Sequence, residues 1–450
     1  MRRLALIGLD CADPVLLQEL LPELPTLRGL AERGRLTRLR SVDPPITVPA
    51  WMCMMTGKDP GNLGVYGFRN RLDHSYADLR IVDSTVFADA EPIWDTLARQ
   101  GRRSILLGIP GTYPPRRVAG KLVSGPLTPS AQSTFTYPPS LTDDINRWIG
   151  EYLFDIPIGK TKGKLQIAED IRTMTAQRFE LARRLVVDDD WSFFAMVEMG
   201  SDRMHHAFWS DHDPTHPQHD AERPSRNAIR DFYRFLDGEI ASLIQVLPKG
   251  TQLCVASDHG VQRLCGGIAI NEWLISHGYL TLKRNPSKPT RLEELIKCGL
   301  VDWDRTQAWG AGGYYGRIFF NVIGREPHGT VPPQQYNALQ EELVDALGAL
   351  PDGNRSLRPT CVLRPATTYP VAHGIPPDLL AYFGDLSWRS IGTVGWGRVH
   401  LQEEDAGPGT ANHALEGVFL STPPLHQGGN PDSIPEVRDA LLKHFQLLES

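Results

Sequence analysis

Seven residues able to bind metal or, in one case, to offer a hydroxyl nucleophile stand beside apolar runs. Asp10 follows LALIGL, Thr47 lies in PPITVPAW, and Asp202 and His206 lie in MVEMGSDRMHHAFW. Asp258 and His259 follow LCVAS, and His413 precedes ALEGVFL. Carboxylates mixed with imidazoles suit Zn²⁺, with Mn²⁺ as the alternative. Three carboxylates, three imidazoles and one hydroxyl can supply two sites with three or four protein ligands each, leaving room for substrate oxygens. Two ions about 4 Å apart stabilise the attacking and leaving oxygens of an in-line displacement. The set therefore points to a two-metal hydrolytic centre, a conclusion that no fold alone would license.

Each member also has a plainer reading. Asp10 closes an apolar run, where ligands of open parallel sheets bind. It could instead cap a helix, although Asp13 before Pro14 fills that role better. Thr47 precedes VPAWMCMMTG, which reads as a short helix with Pro49 in its first turn and Gly57 as its stop. At a helix N-terminus a threonine can be a simple cap, or an alkoxide eased by the helix dipole. Asp202 and His206, four apart, share one helical face and can hold one ion; His205 then points elsewhere. Their plain reading is a solvated surface pair, against which the flanking Phe208-Trp209 argues. Asp258 and His259 abut a buried run, and Gly260 offers the unusual backbone needed to turn both to one side. His413 gains its weight only from completing the set.

These residues need strands to deliver them. The runs LALIGL, SILLGI (104–109), WSFFAMVE (191–198), QLCVAS (252–257), RIFFNV (317–322) and EGVFLS (416–421) read as buried strands. Helical patterns separate them at 15–33, 92–100, 164–186, 226–246 and 333–349, which implies a mainly parallel sheet. The expected fold class is α/β, three layers of α/β/α about that sheet, with an inserted cap. The core is expected at 1–260 and 401–450. Segment 261–400, with its scattered Pro and Gly and the aromatic AWGAGGYYGRIFF, reads as the cap.

Composition narrows the partners. The 450 residues carry 47 Lys plus Arg against 53 Asp plus Glu, a formal charge of −6, and no long basic run. A nucleic-acid polymer is not expected. MRRLALIGLD is too short in its apolar stretch for a signal peptide, and no run approaches a membrane span, so a soluble cytoplasmic protein is expected. The six dispersed cysteines, without a C-x-x-C, read as free thiols; Cys11, beside Asp10, is placed to tune the site.

At these residues the sequence resembles the alkaline phosphatase superfamily. It is most similar to the type I phosphodiesterase/nucleotide pyrophosphatase branch, and there to a bacterial group of predicted phosphohydrolases or phosphomutases. The resemblance is carried, in order, by GLDCADP, LPTLRGLAERG, PPITVPAWMCMMTGKDPGNLGVYGF, GIPGTYPP, VSGPLTPS, SDRMHHAFW, ASDHG, FNVIGREPHGTV, PPDL and NHALEGVF. It implies two divalent ions. Asp10, Thr47, Asp258 and His259 would surround one; Asp202, His206 and His413 would hold the other. Thr47 would be the nucleophile and pass through a phosphothreonine. The implied substrate is a small-molecule phosphate ester.

The departures lie elsewhere. Nucleotide pyrophosphatases usually carry a phosphate-contacting Asn twenty-one residues after the nucleophile, which here is Phe68; Arg69 or Asn70 would have to compensate. Leu63 stands where a His is usual, and Cys11 where a Gly is usual. A phosphomutase, moving phosphate within one molecule, needs similar ligands and is the alternative. A sulfatase lacks support, because Thr47-Val-Pro-Ala-Trp51 has neither the Cys or Ser nor the Arg of that branch. A metal-stabilised binding module without turnover rests on Phe68 and Leu63 alone.

Overall fold

The first apolar run becomes a strand buried at all six positions in the computed structural model, which describes residues 2–76, 79–158, 163–187, 190–351, 358–407, 409–425 and 429–448. A strand with no polar face must be covered on both sides, and this one lies inside an eight-stranded sheet. In chain order the strands are β1 (Leu4–Leu9), β2 (Arg35–Arg40), β3 (Ser104–Ile109), β4 (Gly120–Ser124), β5 (Thr136–Tyr137), β6 (Phe193–Glu198), β7 (Gln252–Ala256) and β8 (Glu416–Thr422). Their spatial order is β2-β8-β7-β1-β6-β3-β4-β5. The five from β7 to β4 run parallel, while β8, β2 and β5 join antiparallel. The edge strand β2 exposes Arg35, Arg38 and Arg40, charges that oppose pairing with another chain.

Register matters most for the site. Gly8 lies opposite both Val197 and Ala256, and Leu9 opposite Glu198, so β1, β6 and β7 end side by side. Their carboxyl ends release Asp10, the helix that carries Asp202, and Asp258 at one place. Helices form the outer layers of this three-layer α/β/α arrangement. Lys164–Val187, Gly200–His212 and Ala228–Val246 pack on one another, and Thr47–Thr56 packs on Ile434–His444. Among the described residues no helix is long and apolar enough to cross a membrane.

Two expectations about elements change. The helix over 15–33 is two helices, Pro14–Leu20 and Pro25–Arg33, separated by a 3₁₀ turn at Leu21–Glu23. Pro22 and Pro25 lack the amide hydrogen that a continuous helix needs, and each starts a new turn instead. The run RIFFNV forms strand Gly316–Phe320, but in an antiparallel sheet outside the main one.

The chain divides into two compact units. The first comprises 1–59, 82–261 and 409–450 and holds the large sheet; the second comprises 60–81 and 262–408. The boundaries expected at 260/261 and 400/401 thus fall at 261/262 and 408/409, and 60–81 joins the second unit. The cause is local. The buried Arg71 guanidinium pairs with Glu326 at 3.1 Å, and the Tyr76 ring stacks on Trp303 at 3.6 Å. The Tyr76 hydroxyl also donates to Asn321 Oδ1 at 2.6 Å. This unit has its own core of Trp273, Leu274, Ile318, Phe320, Leu343 and Leu379, among others.

Candidate metal centre

The turn after β1 sets the first carboxylate. The Asp10 amide donates to the Glu198 carbonyl at 3.0 Å, and Ser201 Oγ donates to the Asp10 carbonyl at 2.7 Å. Cys11 then takes φ +65°, the left-handed region, which aims its amide at Asp258 Oδ1 at 3.1 Å. That backbone explains why a glycine suits position 11. Asp13, as expected, caps the next helix through the amides of Val15 and Leu16.

Asp258 and His259 leave β7 braced by two serines. Ser41 Oγ donates to the Asp258 carbonyl at 2.5 Å and Ser257 Oγ to the His259 carbonyl at 2.6 Å. Gly260 is required for space, not for a positive φ as expected: a Cβ there would lie 2.2 Å from the Glu416 carbonyl and 2.7 Å from Asp13 Oδ2. Asp202 and His206 sit one turn apart on helix Gly200–His212, and His413 is on the short strand Ala411–Ala414. His205 points away, with Nε2 3.3 Å from the Tyr233 hydroxyl.

Two buried groups result, Asp10 with Asp258 and His259, and Asp202 with His206 and His413. Within each group one ligand atom per residue lies within 4.8 Å of the others. Each carboxylate spends one oxygen on a protein donor. Trp51 Nε1 donates to Asp10 Oδ2 at 2.7 Å, the Cys11 amide to Asp258 Oδ1, and Arg203 Nη1 to Asp202 Oδ2 at 2.5 Å. The other oxygens, Asp10 Oδ1, Asp258 Oδ2 and Asp202 Oδ1, are buried without a hydrogen bond. An orphaned buried carboxylate oxygen is costly unless a cation meets it.

The imidazoles complete the match. His206 Nδ1 lies 3.1 Å from the Ala411 carbonyl, His259 Nδ1 3.1 Å from the Gly260 carbonyl, and His413 Nδ1 2.9 Å from the Pro45 carbonyl. A carbonyl only accepts, so each Nδ1 carries a proton, which leaves Nε2 as the atom each ring turns inward and whose lone pair a metal would take. Those atoms face the orphaned oxygens: His206 to Asp202 at 3.2 Å and His259 to Asp258 at 3.2 Å. The Nε2 atoms of His206 and His413 are 3.3 Å apart. Two lone pairs at that distance repel unless a cation lies between them. The residues present therefore fit a divalent ion at each group, with backbone carbonyls fixing the histidine tautomers.

Burial, followed by the charges of Asp258 and Asp202, pushes the Asp10 carboxyl well above its usual range against Trp51 and Arg203. Asp258 is pushed up to about 6, chiefly by burial, with His259 and the Cys11 amide opposing. Burial would raise Asp202 too, but the neighbouring His206 imidazole and Arg203 guanidinium outweigh it and hold that carboxyl well below the usual range. Burial, with His259 and His206 adding to it, drives His413 well down, so its ring is neutral.

Thr47 is the first residue of helix Thr47–Thr56, which ends at Gly57 with φ +69°. Ile46 occupies the cap position, and Thr47 Oγ1 lies 3.5 Å from His259 Nε2. The seven residues thus converge within the first unit. Phe68, Arg69 and Asn70 belong to the second unit. There Asn70 closes its own turn, accepting from the Tyr66 amide and donating to the Gly64 carbonyl, and Arg69 pairs with Ile81 in a two-residue ladder. Arg203 is clamped by Asp155 at 2.6 and 2.7 Å. The sequence reading missed the roles of Trp51 and Asp155. Trp51 carried a signal, being one helical turn from Thr47; Asp155 carried none.

The site is thus two buried carboxylate–imidazole groups gathered at the strand ends of a largely parallel sheet. The chain belongs to the type I phosphodiesterase / nucleotide pyrophosphatase family, whose sequence profile matches residues 4–408. It is accordingly a phosphoric ester hydrolase with metal-dependent chemistry. Among solved structures, phosphonoacetate hydrolase from Sinorhizobium meliloti 1021 in complex with phosphonoformate is similar at TM-score 0.63 and 14% identity, over 98% of this chain and 96% of that one. Human ectonucleotide pyrophosphatase / phosphodiesterase 5 is similar at TM-score 0.54 and 15% identity, over 100% and 96%. The inactive murine form of that protein, in complex with AMP, gives 0.53 and 14%, over 100% and 96%. No curated protein matches the chain. His413 lies beyond the matched span, so its place in the site rests on geometry.

Proposed function

We propose that the chain hydrolyses small-molecule phosphate esters with two divalent ions and Thr47 as nucleophile. Asp10, Asp258 and His259, with Thr47 Oγ1 beside them, would hold one ion; Asp202, His206 and His413 would hold the other. When bound, the ions, Zn²⁺ for preference and Mn²⁺ as the alternative, supply positive charge to substrate oxygens and ease ionisation of the Thr47 hydroxyl. Thr47 Oγ1 attacks phosphorus as the alcohol oxygen leaves, forming a phosphothreonine; water then cleaves that bond and restores the hydroxyl. The amino end of helix Thr47–Thr56 adds its partial positive charge for the phosphoryl oxygens.

The observation that carries this reading is the shared tautomer of the three histidines, each tied at Nδ1 to a backbone carbonyl. The phosphonate and AMP held by the solved relatives favour a compact tetrahedral phosphorus substrate. The six free cysteines favour a reducing compartment, in keeping with a cytoplasmic location. The test is a panel of aryl monoesters, diesters, pyrophosphates and phosphonates on metal-defined protein, with Thr47→Ala alongside. The variant is expected to keep its metal and fold and to lose at least about a thousandfold in kcat. Unchanged turnover in Thr47→Ala would remove the nucleophile.

A further inference from the structure

The reaction as drawn uses neither of the two largest features around Asp10, the Trp51 indole and the gap in β1 that admits it. Trp51 is fully buried on the same helix as Thr47, four residues on, and so shares its face. Its ring crosses to β1 at Gly8, where a Cβ would lie 2.5 Å from Trp51 Cη2, 2.9 Å from the Met196 carbonyl and 3.0 Å from Val197 Cγ2. A glycine in the middle of a buried strand weakens it, so its presence marks the close approach of another group. The group here is an indole whose single donor has one target: Nε1 donates to Asp10 Oδ2 at 2.7 Å. Asp10 Oδ1, its other oxygen, then lies 3.7 Å from His259 Nε2. One side chain therefore ties the helix that starts with the hydroxyl to the carboxylate that would meet the ion.

We propose that Trp51 is a positioning residue for the Asp10–Asp258–His259 site: its N–H holds Asp10 so that Oδ1 alone is presented to a divalent cation, in register with Thr47. This rests on the reading of Asp10 as a metal ligand. Loss of a donor that orients a ligating group typically weakens metal binding by about 10–100-fold. The loss should be confined to one site, because Asp202 takes its hydrogen bond from Arg203 instead.

The test is a titration of the metal-free full chain with Zn²⁺ against a chromophoric chelator, resolving two binding steps. Trp51→Phe removes the donor. Site-specific replacement of Trp51 by 3-benzothienylalanine, which keeps the bicyclic shape but puts sulfur in place of N–H, separates the donor from the packing. We expect both variants to weaken one step by about 10–100-fold and to leave the other unchanged. A benzothienyl variant with both steps at wild-type affinity overturns the proposal, whether or not Trp51→Phe is impaired. Equal loss of both steps in that variant overturns it too, since a general packing defect would do that. Asp10→Asn is measured in parallel. If it leaves both steps intact, the underlying ligand assignment fails; if it abolishes one step while the benzothienyl variant does not, only the role of Trp51 fails.

Discussion

Replacing His413 by Ala tests the residue whose role depends most on three-dimensional structure. Its ring is buried, stacked 3.7 Å from the ring of His259, and tied at Nδ1 to Pro45. Removing it takes one of three donors from its group and leaves Asp202 and His206. Losing a partner that merely orients a ligand costs about 10–100-fold in affinity, so losing the ligand itself should cost at least about 100-fold. That is about 2.7 kcal/mol of binding free energy at 25 °C. Because the ring also covers His259, the neighbouring site should weaken as well, but by less. The assay is a chelator-competition titration with Zn²⁺ and with Mn²⁺, backed by elemental analysis after desalting. Far-UV circular dichroism checks the fold. His413→Gln, which keeps most of the volume, is the control for packing. Both variants should drop from two ions to one. Two ions bound at wild-type affinity in His413→Ala would refute the assignment, and loss in the Ala variant alone would trace the effect to the cavity.

Metal and pH should interact in a defined sense. Asp258 at about 6, and Asp10 also raised, ionise later in the folded chain than in the unfolded one. The stability they lend the metal-free protein is full below the ordinary carboxylate range and is lost as pH rises through those raised values. A bound cation removes that loss, so the melting-temperature gap between metal-loaded and metal-free protein should widen from about pH 4 to about pH 7; a gap that narrows or stays flat would contradict this. Gly260→Ala should destabilise the metal-free protein by about 1–3 kcal/mol in urea melts, since a Cβ would press on the Glu416 backbone; a wild-type midpoint would show that the turn can yield. The two ions should load in sequence, the Asp10–Asp258–His259 site first; at one equivalent of diamagnetic Zn²⁺ the His259 ring resonances should shift before those of His206, and the reverse order would refute it.

Much of the centre was legible in the sequence because strand ends advertise themselves. LALIGL, WSFFAMVE and QLCVAS each carry a dense apolar run, and a parallel sheet then brings their carboxyl ends together, so Asp10, Asp202 and Asp258 could be grouped without coordinates. His206 followed from helical spacing. Other features depend on partners distant in sequence and left no local trace. Pro45 fixes the tautomer of His413 across 368 residues, and Ser41 braces Asp258 across 217. The short strands β2, β4 and β5 carry too few apolar residues to stand out, and β2 holds three arginines that read as surface. The membership of 60–81 in the second unit hangs on Arg71, Tyr76 and Asn321, polar contacts that no periodicity announces. Gly260 was singled out for the wrong reason: crowding by Glu416 demands the glycine, and the left-handed turn falls at Cys11.

The expected loading order comes from the charge each group must balance. Asp10 and Asp258 are wholly buried, and among the described residues their only contact with a basic side chain is His259, at 3.7 and 3.2 Å. Once both carboxyls ionise to meet a cation, they place two negative charges in a fully buried site. Asp202 instead shares its carboxylate with Arg203, whose guanidinium is in turn divided with Asp155. The second site therefore starts closer to neutrality and draws a divalent ion less strongly. The same difference appears in the carboxyls themselves, with Asp10 and Asp258 raised and Asp202 lowered. A buried uncompensated charge is among the costliest features a fold can hold, and it persists where a cation offsets it. The site that holds Thr47 beside it is the one that most needs its ion, and this couples formation of the nucleophile's environment to completion of the fold around it.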